Sequence, residues 1–151
     1  MAVLVLNSGS SSIKADVIDA ANQQRLQSFR VQRIGTEQCV CIVTGVETIL
    51  PNANHAVTVE HILSKITETI DAIGHRVVHG GERFVEPTRI TTEVLSEIKG
   101  LTELAPLHIP ANIAGIEACS AQYPEALQVA VFDTAFHSTL PRRAKHYAID
   151  G

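Results

Sequence analysis

The chain has 151 residues, 45% of them hydrophobic and 19% charged, with a formal net charge of −4. That length fits one domain, or one lobe of a larger molecule, whose core needs neither disulfide nor metal, and the composition excludes a disordered chain. The acidic balance speaks against nucleic acid and anionic membranes as partners, and no run approaches the ~20 apolar residues of a membrane helix.

Residues 2–6 form a continuous apolar run, as in a strand covered on both faces. The run lacks the basic flank of a secretion signal. Asn7, Ser8, Gly9 and three serines then make a tight polar loop. Residues 13–18 alternate, with Ile13, Ala15 and Val17 against Lys14 and Asp16, and predict a second strand paired antiparallel with the first. Residues 19–24 read as a turn. Strands are expected over 25–34 and 38–43, divided by Gly35, with a weaker one over 46–50. Over 54–70 the period becomes helical, with Val57, Ile62, Leu63, Ile66 and Ile70 on one face. Residues 73–79 predict a strand ended by Gly80 and Gly81. A short helix follows over 91–99, capped by Thr91 and stopped by Gly100. Pro110 opens another helix, to about Ala121, and residues 127–132 form the last strand. This order predicts an α/β fold, a mixed sheet with helices packed on it. Cys39, Cys41 and Cys119 have neither zinc nor redox spacing. They read as buried, reduced thiols of a cytosolic protein.

Four segments carry candidate chemistry. In residues 7–14, NSGSSSIK, glycine permits a tight turn. Serine hydroxyls and successive N–H groups suit an anion. Lys14 can reach phosphate oxygens, and Asn7 offers a neutral oxygen to a phosphate or a magnesium-bound water. The Walker spacing is absent, and a strand rather than a helix follows. A serine-rich hairpin turn without a ligand fits the same residues. In residues 74–82, GHRVVHGGE, Arg76 lies within an apolar strand, where an unpaired guanidinium is costly. It is either salt-bridged internally or binds an anion in bidentate fashion. His75 and His79 stand about 13 Å apart along a strand, too far to share a metal. In residues 105–110, APLHIP, two prolines bracket His108 before a helix, as a rigid connector or part of a site. Asp133 follows the last strand, at the carboxyl edge where open α/β sheets bind ligands, or caps a turn there. No G-x-S-x-G elbow supports a hydrolase triad.

Taken together, these segments resemble the acetate/propionate kinase family. N-x-G-S-S-S-x-K at 7–14, GHRVVHGGE at 74–82, APLH at 105–108 and FDTAFH at 132–137 occur in the family's order and at similar spacings. The resemblance implies an actin-like ATPase, ribonuclease H-like N-terminal lobe over residues 1–151, with a five-stranded mixed sheet. On this resemblance the C-terminal lobe is expected to be absent from this chain. It implies reversible phosphorylation of acetate by ATP to acetyl phosphate, with Mg2+ (or Mn2+), by a cytoplasmic enzyme that is a homodimer at full length. This part alone is expected to be inactive and monomeric. By the same resemblance Asn7 is the metal-site asparagine, and Lys14, Ser10 and Ser12 bind nucleotide phosphates. Arg76 binds the substrate carboxylate or the transferring phosphoryl group, and His108 lies near it. Val78 and Leu107 shape a small apolar pocket, and Asp133 is the catalytic aspartate. Ile109, Ser138 and Leu140 depart from the family pattern. A propionate-preferring kinase and a non-catalytic phosphate-loop binding module are the alternatives.

Overall fold

The first strand, β1 (Ala2–Ser8), buries Leu4, Leu6 and Ser8 on one side, whereas Val5 on the other is 39% exposed. Such alternation marks a strand with one covered face, so the expected burial on both faces is not met. The reason lies in the rest of the computed structural model, which describes residues 1–77, 86–103 and 105–132. Every described helix packs on the face that carries Leu4 and Leu6.

From β1 the chain meanders antiparallel through β2 (Ile13–Asp19), β3 (Arg25–Gln32), β4 (Val40–Val43) and β5 (Val46–Ile49). Helix α1 (His55–Lys65) then leads to β6 (Ile70–Val77), which pairs parallel with the other edge of β1. A two-residue strand, β7 (Thr88–Arg89), precedes helices α2 (Thr92–Lys99) and α3 (Ile109–Gln122) and the strand β8 (Leu127–Phe132). Strand β8 pairs parallel with β6, and β7 closes that edge antiparallel. The order is β5-β4-β3-β2-β1-β6-β8-β7. The expected five-stranded mixed sheet is its centre, widened by the β4–β5 hairpin on one side and β7 on the other. A two-residue strand leaves no period in the sequence, and β7 was not foreseen.

Helix α1 is shorter than its periodicity predicts. Ile66 is already extended, at φ −75° and ψ 126°. The side chain of Gln27, from β3, accepts from Thr67 N–H at 3.1 Å and donates to Lys65 C=O at 3.2 Å. It thereby satisfies groups the helix end would leave unpaired. Ile70 belongs to β6 instead, in register with Ala2. The other ends follow local signals: Asn54 and Thr91 accept from the third residue on, and Gly100 stops α2.

Leu4, Leu6, Ala15, Val17 and Phe29 of the sheet join Val59, Ile62 and Leu63 of α1 in one core, with Cys119 of α3. A second cluster joins Val77, Ala130 and Phe132 to Ile98 of α2 and Ile109 and Ile116 of α3. All three cysteines are buried and unpaired, and burial pushes the Cys119 thiol up to about 12. Helix α3 packs tightly on β1 at Gly115, where a Cβ would stand 2.9 Å from Leu6 Cδ2 and 3.2 Å from Ser8 Oγ. Leu6 is 1% exposed and cannot swing away. The substitution Gly115→Val is therefore expected to destabilise the fold by about 2 kcal/mol through overpacking, read as a lower midpoint in urea unfolding.

Candidate functional site

The loop between β1 and β2 is tied down from outside. Ile34 N–H donates to Ser11 C=O at 3.0 Å, and within the loop Gly9 N–H donates to Ser12 C=O at 2.7 Å. His55, the first residue of α1, places Nε2 2.7 Å from Gly9 C=O; as the carbonyl can only accept, Nε2 carries the proton. The carbonyls of Gly9, Ser11 and Ser12 are thus committed to the protein. The N–H groups of Ser10, Ser11 and Ser12 take no part in these bonds, and their side chains are exposed. Such a run of N–H groups suits an anion.

Sheet register brings the singled-out residues into line. Asn7 pairs with Lys14 on one side and with Arg76 on the other, and Lys14 pairs with Arg30. Residues in register share a face, so Arg30, Lys14, Asn7 and Arg76 form one row across four strands, on the face opposite the described helices. All four are exposed. At ~4.8 Å between strands the row is about 14 Å long. A cavity of about 210 Å3 opens over part of it, lined by Asn7, Gly9, Ser12, Lys14, Arg30 and Gln32. A larger cavity, about 480 Å3, lies at the opposite end of the parallel strands, beside Arg89, Thr91, Ser120 and Tyr123. None of the candidate site residues lines it.

Neighbours along β6 face opposite ways. Arg76 is exposed, so its guanidinium carries no burial cost. His75 is buried on the helix side, with Nε2 2.6 Å from Gln128 Oε1, while Gln128 Nε2 donates to Ser120 Oγ at 2.8 Å. Burial drives the His75 pKa from 6.5 down to about 4, against a smaller upward pull from the Gln128 bond. His75 is a neutral core residue.

Asn112, in the first turn of α3, is 2% exposed. Its Nδ2 donates to Arg76 C=O at 3.0 Å and to Ser8 C=O at 3.4 Å, tying together the ends of β1 and β6. Its Oδ1 has no hydrogen-bond partner among the described residues. His108 precedes α3 and is half-buried, with no side-chain capping bond, and Leu107 is 70% exposed. Both lie at the end of the sheet where Asn112 meets Arg76. Val78, His79 and Asp133 lie outside the described residues. Sequence reasoning missed His55, Arg30, Gln32 and Asn112. Only Asn112 left a signal, a polar residue in an otherwise apolar helix; the others are placed by long-range pairing.

The acetokinase family pattern matches residues 2–151. The chain belongs to that family. It is 44% identical to acetate kinase of Halothermothrix orenii, the match covering 99% of this chain and 41% of the relative. It is 46% identical to acetate kinase of Streptomyces avermitilis, over 98% of this chain and 40% of the relative. Among solved structures, a propionate kinase of Francisella tularensis superposes with a TM-score of 0.80 at 41% identity, covering 91% of this chain and 38% of that one. Acetate kinase of Porphyromonas gingivalis gives 0.78 at 39% identity, over 89% and 38%. The chain thus spans about 40% of the length of these relatives, and it has the acetokinase fold.

The depressed pKa of His75 has a sign. Between about pH 6.5 and pH 4 the unfolded chain binds a proton that the folded chain does not. Stability is therefore full above about pH 6.5 and falls on acidification, by up to about 3 kcal/mol from this group. Urea unfolding at pH 8, 6 and 4 is expected to show that loss, and a shallower slope in His75→Gln.

Proposed function

We propose that the protein of which this chain is part catalyses reversible phosphoryl transfer between ATP and acetate, giving acetyl phosphate. The observation that carries this reading is the row of Lys14, Asn7 and Arg76 on one sheet face beside a loop whose serine N–H groups take no part in its own backbone bonds. A nucleotide's phosphates and a carboxylate are both anions, and that edge has cations and N–H donors to hold them.

The acceptor carboxylate is ionised at pH 7, so no strong base is needed to make the nucleophile. The difficulty is bringing two anions together and stabilising charge on the transferring phosphoryl group. Arg76 has the planar fork for this. Lys14, with Ser10 and Ser12, holds the phosphate chain. Among the described residues no cluster of His, Cys, Asp and Glu could cage a metal. The neutral oxygen of Asn7 beside the phosphate loop suits magnesium that arrives with phosphates and keeps its waters. Bound there, Mg2+ (or Mn2+) would neutralise phosphate charge. Asp133 would orient the metal or its water, and His108, Val78 and Leu107 would surround the acyl group. Buried, unpaired cysteines support a reducing compartment, the cytoplasm. The likeness to the Francisella propionate kinase supports propionate as a second substrate. One methylene in an apolar pocket discriminates by only ~1–3 kcal/mol.

In the full-length protein, Arg76→Ala is expected to lower acetyl phosphate formation at least ~100-fold; unchanged turnover with both acids overturns the reading. Residues 1–151 alone, as an N-terminal lobe, are expected to show no turnover, because transfer needs a closed, water-free site. ATP-dependent acetyl phosphate formation by that piece would sink the two-lobe arrangement.

A further inference from the structure

The row of residues on the open face does not end at Lys14. Arg30 stands directly opposite Lys14 across the β2–β3 pair. Like charges placed so repel and weaken the strand pair. The neighbourhood offers little relief. Asp16, two residues along β2 on the same face, is held by Arg25 at 3.5 Å and by Ser28 Oγ at 2.8 Å. Glu47 shares the row but lies two strands further out, about 10 Å away. Among the described residues neither Lys14 nor Arg30 has an ion-pair partner.

Both cations line the cavity of about 210 Å3 above the loop, with Asn7, Gly9, Ser12 and Gln32 and without any acidic side chain. A cavity with two facing cations, two amides and no carboxylate suits a multiply charged anion. A single phosphate at the loop reaches the N–H groups and Lys14. Arg30 lies one strand further out, on the side away from Arg76, in the direction in which a chain of phosphates would extend from the loop.

We infer that Arg30 is a further anion-binding residue of this site, which with Gln32 grips the outer part of a chain of phosphates whose inner part rests on the loop and Lys14. The inference rests on the phosphate-loop reading above and adds to it a specificity for polyphosphate over monophosphate. The guanidinium contributes charge-assisted hydrogen bonds to phosphate oxygens, and the anion removes the repulsion across β2 and β3.

The test compares full-length wild type with Arg30→Gln, Lys14→Gln and Arg25→Gln, each titrated with inorganic tripolyphosphate, ATP and inorganic phosphate. The readouts are the dissociation constant and the anion-induced rise in Tm. Arg30→Gln is expected to bind tripolyphosphate about tenfold more weakly, with inorganic phosphate affinity unchanged and an anion-free Tm no lower than that of wild type. Equal weakening toward ATP assigns Arg30 to a nucleotide's phosphates; weakening toward tripolyphosphate alone assigns it to an inorganic polyphosphate. Wild-type tripolyphosphate affinity in Arg30→Gln, with affinity lost in Lys14→Gln, overturns the inference and leaves the phosphate loop standing. Wild-type affinity in Lys14→Gln as well overturns both. An equal loss in Arg25→Gln reduces the effect to net charge and also overturns the inference.

Discussion

The register of β1 against its two neighbours is the constraint on which the rest depends. Pairing with β2 on one side and β6 on the other sets Asn7 between Lys14 and Arg76. A slip of one residue would send every side chain of a strand to the opposite face. Leu4 and Leu6 would then meet water, while Val5 and Asn7 would turn toward α1 and α3. Burying one such leucine is worth about 1.5–3 kcal/mol, and an unpaired buried lysine or arginine costs more than that. The core on the helix side therefore fixes the geometry on the open side. No residue of the site needs to hold itself in place.

The loop at the end of β1 shows the same economy of means. Its carbonyls are turned inward by Ile34 and His55, residues from two other parts of the chain. Bound in this way, the loop is ordered by the protein itself, with the N–H groups of Ser10, Ser11 and Ser12 outside these bonds. Asn112 does a related task one layer down, where a single amide spans the carbonyls of Ser8 and Arg76. The carboxyl ends of β1 and β6 thus share one buried donor. The cost of leaving its Oδ1 unpartnered is accepted for that junction.

The sequence made the local parts of this legible and the lateral parts not. Apolar runs located β1 and β8, alternation located β2, and caps located α2, because these signals lie within a few residues. The end of α1 was misread because the side chain that pairs with groups at that end, Gln27, lies nearly forty residues away. Ile70 fits the helical period, but its burial is earned against Ala2 of β1. The apolar run at the start suggested two covered faces; only the placement of the helices decides that question. At the site, the loop and GHRVVHGGE were visible as motifs. That Lys14 and Arg76 stand one on each side of Asn7 is a property of register, which a motif does not contain. Arg30 belongs to no motif and is found only by following the row across the sheet.

Parity along β6 separates stability from chemistry in adjacent residues. Ile73, His75 and Val77 face the helices, whereas Gly74 and Arg76 face the open side with Asn7 and Lys14. The two residues after Gly74 in the GHR motif therefore do unrelated work. His75 must stay neutral to remain buried, and its bond to Gln128 fixes one ring nitrogen as donor. Arg76 is exposed on the other face, where the proposed function needs it. Acid would therefore weaken the fold beneath Arg76 by charging the buried His75. Loss of function on mild acidification would then report on the core, through His75.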